Sequence, residues 1–520
     1  MSTVFRAGAV FDGHRYGGPA DVLVDGGRIV AVGSDLRGDE VVDAAFVSPG
    51  FTDAHVHPIQ GGLERLRCDL SELGSREEYL TSIREYAAAN PDQDWILGGG
   101  WAMPAFPGGT PSAAELDSVA PDRPVFLPNR DHHGAWVNSR ALEIAGIDER
   151  TPDPPDGRIE RDAAGRPSGT LHEGATALVS RHLPRTTADD YYAALMAGQS
   201  YLHSVGVTSW QDAIVGAYSG MDDPASTYET AAANGDLRSH VVGALWWERR
   251  LGVEQVADLV GRREAMTGGR FRATTVKIMQ DGVAENYTAA MLSPYLDRCG
   301  HPTDNSGHSF LTAEAIRDAV RALDAAGFQV HVHAIGDRGA REALDAFEGT
   351  NAERRHHIAH LQVVHPDDVR RFAGLGVAAN VQMLWACLDD QMAELTLPFL
   401  GRAAEWQYPF GDLERAGARL VAGSDWPVST PDPLQAIEVG VTRRDPESDR
   451  EAFLPEQALA RETAWAAYTS GSAWVNHRDD AGVLRPGAVA DLVVLDRDPF
   501  TEADARVAST WIDGTPVYTA

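Results

Sequence analysis

Apolar and polar residues alternate in short runs at both ends of the chain and follow a different rhythm between them. VFRAGAVFDG, DVLVDGGRIVAVGSD and VVDAAFV near the N-terminus, and GVLRPGAVADLVVLDRDPF and ARVASTWIDGTPVYT near the C-terminus, have the period of two of half-buried strands, with Gly-rich turns between them. The N-terminal runs read as a small antiparallel unit. Two β-rich ends around a different middle predict that residues 1–48 and 476–520 meet in one small β-sandwich domain. Residues 49–475 instead alternate short apolar strands with helical segments, the pattern of a parallel α/β architecture. Strands are predicted at 50–57, 206–212, 240–246, 274–279, 328–334, 356–362, 376–383 and 418–425. Eight of them fit a TIM-like (β/α)8 barrel. Helical periodicity is plain in 312–327 and 455–474. From about 62 to 175 the rhythm breaks, with strands of its own (WILGGGW, PVFLPN) and a Pro/Asp-rich loop, so this stretch reads as an insertion after the first barrel strand.

Composition narrows the function. At 520 residues the chain can bury a large core without disulfides, and its three cysteines, Cys68, Cys299 and Cys387, form no C-x-x-C pair. A net charge of −31 repels phosphate backbones and anionic lipid, so no nucleic-acid or membrane partner is expected. Neither a signal sequence nor a membrane span is apparent, and the expected location is the cytoplasm. A small molecule is the expected partner, with homo-oligomerisation left open. Of the 45 basic residues only one, Lys277, is lysine. An amine can lose its proton and react, whereas a guanidinium cannot, so Lys277 marks a place where arginine does not substitute.

His55 and His57 end the first barrel strand two residues apart, which puts both imidazoles on one face at the mouth of the barrel. Later strands add one ionisable residue each near their ends: Lys277, His333, His360 and Asp425. Imidazole and carboxylate ligands suit zinc and neighbouring divalent metals, and an open position makes such a site catalytic. A neutral lysine amine can add carbon dioxide to give a carbamate with two anionic oxygens able to bridge two metals.

The motifs PGFTDAHVHP, TVKIMQDG, HVHAIGDRGA, RRHHIAHLQ and RLVAGSDWPVS, in that order, resemble the amidohydrolase superfamily, and more closely its family 3, the branch of N-substituted formamide deformylases. The resemblance implies that His55 and His57 bind one metal, His333 and His360 a second, and that Lys277 is a carboxylated bridge. It also implies that Asp425 contacts the first metal and shuttles protons. Cofactors are then one or two divalent ions, with zinc expected, and a carbon dioxide-derived carbamate. The chain departs from the pattern where Ala359 replaces a glutamate common before the last histidine, and where VAENYTAAM follows the lysine strand.

Weaker candidates surround this set. His331 shares a strand face with His333 and competes with it as a ligand, while His356 and His357 read as orienting groups. The segment RDHHGAWVNS, with His132, His133, Trp136 and Asn138, reads equally as a substrate loop or a structural turn. His133, Trp101, Trp385, Asp281 and Arg338 are the candidate substrate-binding residues, and Trp426 is a further aromatic that could line a pocket. The predicted activity is metal-dependent hydrolysis of a non-peptide C–N bond in an amide, formamide or cyclic amide. The alternatives are a mononuclear deaminase of a nitrogen heterocycle, which would need no carbamate, and a non-catalytic scaffold.

Overall fold

The computed structural model describes residues 1–218 and 221–520. Its centre is a parallel barrel of eight strands: β1 (Phe51–Val56), β2 (Val207–Val215), β3 (His240–Trp246), β4 (Phe271–Met279), β5 (Gln329–Ala334), β6 (His357–His360), β7 (Ala378–Val381) and β8 (Leu420–Ala422). Each pairs in parallel with the next in chain order. The seam between β8 and β1 is bridged just beyond the strand ends, where Asp425 N donates to His55 O at 2.8 Å and His57 N to Trp426 O at 2.8 Å. All eight strands fall where the apolar runs predict them. Their outer faces and the surrounding helices share one core that includes Phe51, Trp210, Phe271, Val332 and Phe372.

The strand termini also set the site. In parallel register Lys277 pairs with His331 and His331 with His357, so these three occupy one level on the inner face. His333 stands one level nearer the mouth, beside Ala359. Two of the residues that follow are held in left-handed backbone, His360 at φ 79° and Asp425 at φ 58°. Such conformations cost of order 1–3 kcal/mol for a non-glycine residue and persist where surrounding structure imposes them.

Helix α1 (Pro58–Arg65) leaves β1 immediately and packs against α2 (Ala188–Ser204), which leads into β2. Between them lies the insertion, a six-stranded sheet running from Cys68–Asp69 to Pro167–Glu173, with its own core around Tyr79, Trp101, Phe106 and Trp136. The two termini share one eight-stranded sheet, and the long strand Glu40–Pro49 runs on into β1. The antiparallel unit expected at the N-terminus is corrected in one respect. Thr3–Phe11 pairs in parallel with Glu40–Pro49, because the hairpin Ala20–Asp25/Arg28–Gly33 occupies its other edge. The helix expected over 455–474 is also interrupted. A single turn at Pro455–Gln457 is followed by extended backbone at Ala458, and the helix that starts at Arg461 widens into a π-turn at Ala467–Gly471.

The α1–α2 crossing depends on the absence of side chains. A Cβ on Gly62 would lie 1.9 Å from Ala194 O, and one on Gly198 would lie 2.3 Å from Pro58 O. Alanine raises helix propensity by about 1 kcal/mol over glycine, but backbone cannot yield as a flexible side chain can. Gly62→Ala is therefore expected to lower the thermal unfolding midpoint, with an overpacking cost of about 1–3 kcal/mol. An unchanged or higher midpoint would show that the crossing tolerates a methyl group.

Candidate metal centre

At the C-terminal end of the barrel four side chains from three strand ends meet. His55 Nε2 lies 3.0 Å and His57 Nε2 2.9 Å from the same oxygen of Asp425, Oδ1, and His360 Nδ1 lies 3.9 Å from its Oδ2. Ligand atoms of His55, His360 and Asp425 lie within 4.8 Å of one another. Lys277 reaches in from β4, its Nζ 3.4 Å from His55 Nε2 and 3.5 Å from His331 Nε2. His333 joins through His360, with ring centroids 4.3 Å apart.

Burial governs the charges. It pulls the Lys277 amine down to about 7 and, with Lys277 nearby, the His55 imidazole to about 3. His333 and His360 are likewise held well below the usual histidine range by burial, helped by Lys277 beside His333 and by His333 beside His360. Burial would raise the Asp425 carboxyl, yet His55, His57 and His360 together hold it well below the usual carboxylate range. Burial thus favours the neutral forms of His55, His333 and His360 around one carboxylate.

A carboxylate (Asp53) that sequence patterning does not single out supports this ring from below. Asp53 accepts from His55 N at 3.0 Å, Ser424 N at 3.1 Å and Ser424 Oγ at 2.5 Å, tying β1 to the β8 turn that carries Asp425. Its only sequence signal is its place two residues before His55.

The insertion reaches the mouth through RDHHGAWVNS. Its second half is structural: Trp136 is in the insertion core, and Asn138 caps the helix Ser139–Ala145 by accepting from Ala141 N. Its first half faces the site. His132, at φ 61°, accepts at Nδ1 from Gln60 Nε2 at 2.8 Å and lies 3.2 Å from Glu64. His133 Nδ1 donates to both oxygens of Glu173, at 3.0 and 2.9 Å, and its ring lies 5.9 Å from that of His333. Burial opposes a charge on His133, but Glu173 prevails and raises it to about 9.

The remaining candidates divide. Trp385 stacks on His360 at 5.5 Å and 3°. Asp281, with no exposure, accepts from Ala290 N, Ile335 N and Gly336 N, and lies 3.5 Å from His333 Nε2. Trp101 lies in the insertion core with its indole N–H on Leu127 O, Arg338 donates to the carbonyls of Ser306 and Gly307, and Trp426 is wedged between Tyr201 and Gly61. His356 accepts from Val330 N. Beside His57 a small, water-sized cavity of ≈ 20 Å3 is lined by Ile59, Gln60, Asp212, Ile214, Tyr218 and Met221.

Residues 40–518 match the amidohydrolase family. The chain belongs to that family. Among relatives of this amidohydrolase are protein LONG AFTER FAR-RED 3 of Arabidopsis thaliana, 31% identical over 96% of this chain and 88% of that protein, and an N-substituted formamide deformylase of Arthrobacter pascens, 28% identical over 96% and 94%. Among solved structures, an uncharacterized metal-dependent hydrolase from Pyrococcus horikoshii shares the fold with a TM-score of 0.74 at 24% identity, over 96% of this chain and 99% of that one. The chain is a hydrolase by family, and the barrel is the family's fold. Among the described residues no helix is long and apolar enough to cross a membrane.

The donor set of this amidohydrolase fits a divalent cation. His57 Nδ1 and His360 Nδ1 are buried without a hydrogen-bond partner among the described residues, and imidazole nitrogens and carboxylate oxygens are the donors such ions take. Unpaired buried polar atoms of this kind cost about 1–3 kcal/mol each unless something satisfies them.

The His133–Glu173 pair gives a pH prediction. With its pKa raised from 6.5 to about 9, His133 contributes stability that is complete below pH 6.5 and is lost as pH rises through about 9. The parent protein is therefore expected to lose stability across that window relative to Glu173→Gln, measured as thermal midpoints at a series of pH values. Parallel curves for the two proteins would refute the pairing.

Proposed function

We propose that this amidohydrolase is a metal-dependent hydrolase of a non-peptide C–N bond in an amide, formamide or cyclic amide. The observation that carries the reading is the convergence of His55, His57 and His360 on one buried carboxylate, Asp425, with the chain's single lysine beside them. His55 and His57 would hold one ion with Asp425, and His333 and His360 a second, with zinc the expected metal. Both ring nitrogens of His331 are occupied, by Gln211 and His55, which favours His333 as the ligand. Lys277 is proposed as a carbamate bridging both ions. A carbamate forms on the free amine, and burial that brings the amine to about 7 provides it near neutrality. The domain division that accompanies the reading is a terminal β-sandwich (1–48 and 476–520) attached to a barrel (49–475) whose insertion, about 62–175, overhangs the site.

When bound, the metals would supply a Lewis acid for the scissile carbonyl and a hydrolytic water of lowered pKa. The protein's part is positioning and proton transfer. Asp425, kept ionised by its imidazole neighbours, accepts the proton of the attacking water and returns it to the departing nitrogen. His133, charged by Glu173, would donate from Nε2 to the substrate oxygen. Trp385 offers an aromatic face next to His360 against which the substituent on the nitrogen would pack. Similarity to a formamide deformylase supports this substrate class, and Lys277 distinguishes it from a one-metal deaminase.

Elemental analysis beside a screen of N-formyl compounds, cyclic amides and heterocyclic amines tests the reading. The expected result is one or two zinc equivalents per chain and turnover of an N-formyl or amide substrate. Lys277→Arg is expected to abolish turnover and the second metal, with Lys277→Ala partly rescued by short carboxylic acids. Asp425→Asn is expected to retain metal while losing turnover by about 10²–10⁴-fold. A fully active Lys277→Arg enzyme with unchanged metal content would rule out the carbamate.

A further inference from the structure

We infer that a hydrogen-bond relay anchored on backbone carbonyls at the N-terminal end of the barrel fixes the tautomer of His55, with Gln211 as the positioning residue on which it turns. The inference rests on the metal-site reading above only for its consequence, since the relay itself is a property of the protein. Along the barrel axis Gln211, His331, His357 and Asn380 have no exposure, so each of their donors and acceptors is satisfied by protein or by nothing.

The relay starts where there is no ambiguity. At the start of β5 the side-chain amide of Gln329 contacts two carbonyl oxygens, Arg355 O at 2.8 Å and Val475 O at 2.7 Å. A carbonyl oxygen only accepts, so this terminus is the NH2 group and the other is Oε1. Oε1 accepts from Thr275 Oγ1 at 2.7 Å and from Gln211 Nε2 at 3.1 Å. Gln211 Nε2 gives its second hydrogen to Asn476 Oδ1 at 2.9 Å. The oxygen of Gln211 therefore faces two imidazoles, His331 Nδ1 at 2.7 Å and His357 Nε2 at 3.1 Å, and both nitrogens carry hydrogen.

An independent anchor on β7 reaches the same assignment. Asn380 Nδ2 donates to Ala54 O at 2.9 Å and is thereby fixed as nitrogen. It also donates to His357 Nδ1 at 3.2 Å, which leaves the hydrogen of His357 on Nε2, toward Gln211. With its hydrogen on Nδ1, His331 presents a lone pair at Nε2 to His55 Nδ1, 3.0 Å away, so His55 donates there. Its other nitrogen, Nε2, is left with a lone pair between Lys277 Nζ at 3.4 Å and Asp425 Oδ1 at 3.0 Å. Two acceptors at that separation repel, and a cation between them turns the repulsion into ligation. Gln211 thus acts through His331 and touches no reacting atom.

Neutron diffraction on crystals of the perdeuterated, metal-stripped full chain tests the relay directly. The expected nuclear density has deuterium on His55 Nδ1, His331 Nδ1 and His357 Nε2, and none on His331 Nε2. Deuterium on His331 Nε2, or a bare His55 Nδ1, would overturn it. In a second experiment zinc is titrated against a competing chelator. Gln211→Leu removes the shared acceptor and is expected to weaken the tighter zinc equivalent about 10–100-fold, while Gln211→Glu, protonated in this buried position, keeps an oxygen for both imidazoles and an O–H for Gln329 Oε1 and is expected to recover part of that loss. Equal affinity in the parent and Gln211→Leu would overturn the positioning role. A parent chain that binds no zinc would overturn the metal reading instead, leaving the deuterium positions to decide the relay.

Discussion

Everything at the mouth of this barrel follows from withholding water from a cluster of basic groups. In water the imidazoles and the amine would carry or exchange protons freely, and at 0–5% exposure His55, His331, His333, His360 and Lys277 are pressed toward their neutral forms. Asp425 is held well below the usual carboxylate range by His55, His57 and His360, and His133 keeps its charge through Glu173. The strained backbone of His360 and Asp425 has the same origin, since the ends of β6 and β8 turn left-handed to aim both side chains inward.

A second consequence appears along the axis. TIM barrels are ordinarily filled by branched aliphatic side chains, whereas here Thr52, Ser209, Gln211, Thr275, Gln329, His331, His357 and Asn380 are buried near the axis and joined by hydrogen bonds. A buried network of this kind is costly when any member is unsatisfied and rigid when all are. Its rigidity serves the site, because the network ends on His55. The aliphatic residues have been moved to the outer strand faces, where they bind the helices, so stability and chemistry occupy opposite sides of the same strands.

The strands of the barrel were legible because each is a local apolar run, and the H-x-H pair and the lone lysine because residue type and position carry their meaning without knowledge of neighbours. The structure brings His55, His57, Lys277, His360 and Asp425 together as the strand ends suggest. What the sequence withheld depends on pairing between distant segments. Asp53 and Gln211 look like ordinary polar residues in strands, and only cross-barrel register shows one joining β1 to the β8 turn and the other joining two histidines. Trp101 and Arg338 were drawn toward the site by sequence neighbourhood, and the fold spends them on the insertion core and on loop carbonyls. The interruption at Ala458 escaped the helical pattern because alanine-rich periodicity carries no mark of a break.

The segment VAENYTAAM, which follows the strand of Lys277, is where the insertion docks. Asn286 donates to His133 O, and Thr288 donates to Glu173, the carboxylate that holds His133. Glu285 accepts from Thr396 Oγ1 on the far side of the mouth. The loop after β4 therefore links the strand that carries Lys277 to the insertion that supplies His133, and changes there alter the pocket without touching a ligand of the centre. On the proposed function, reaction class and substrate choice are divided between two layers of the fold. The barrel ends would fix the chemistry, and the insertion with its docking loop would vary what is presented to it.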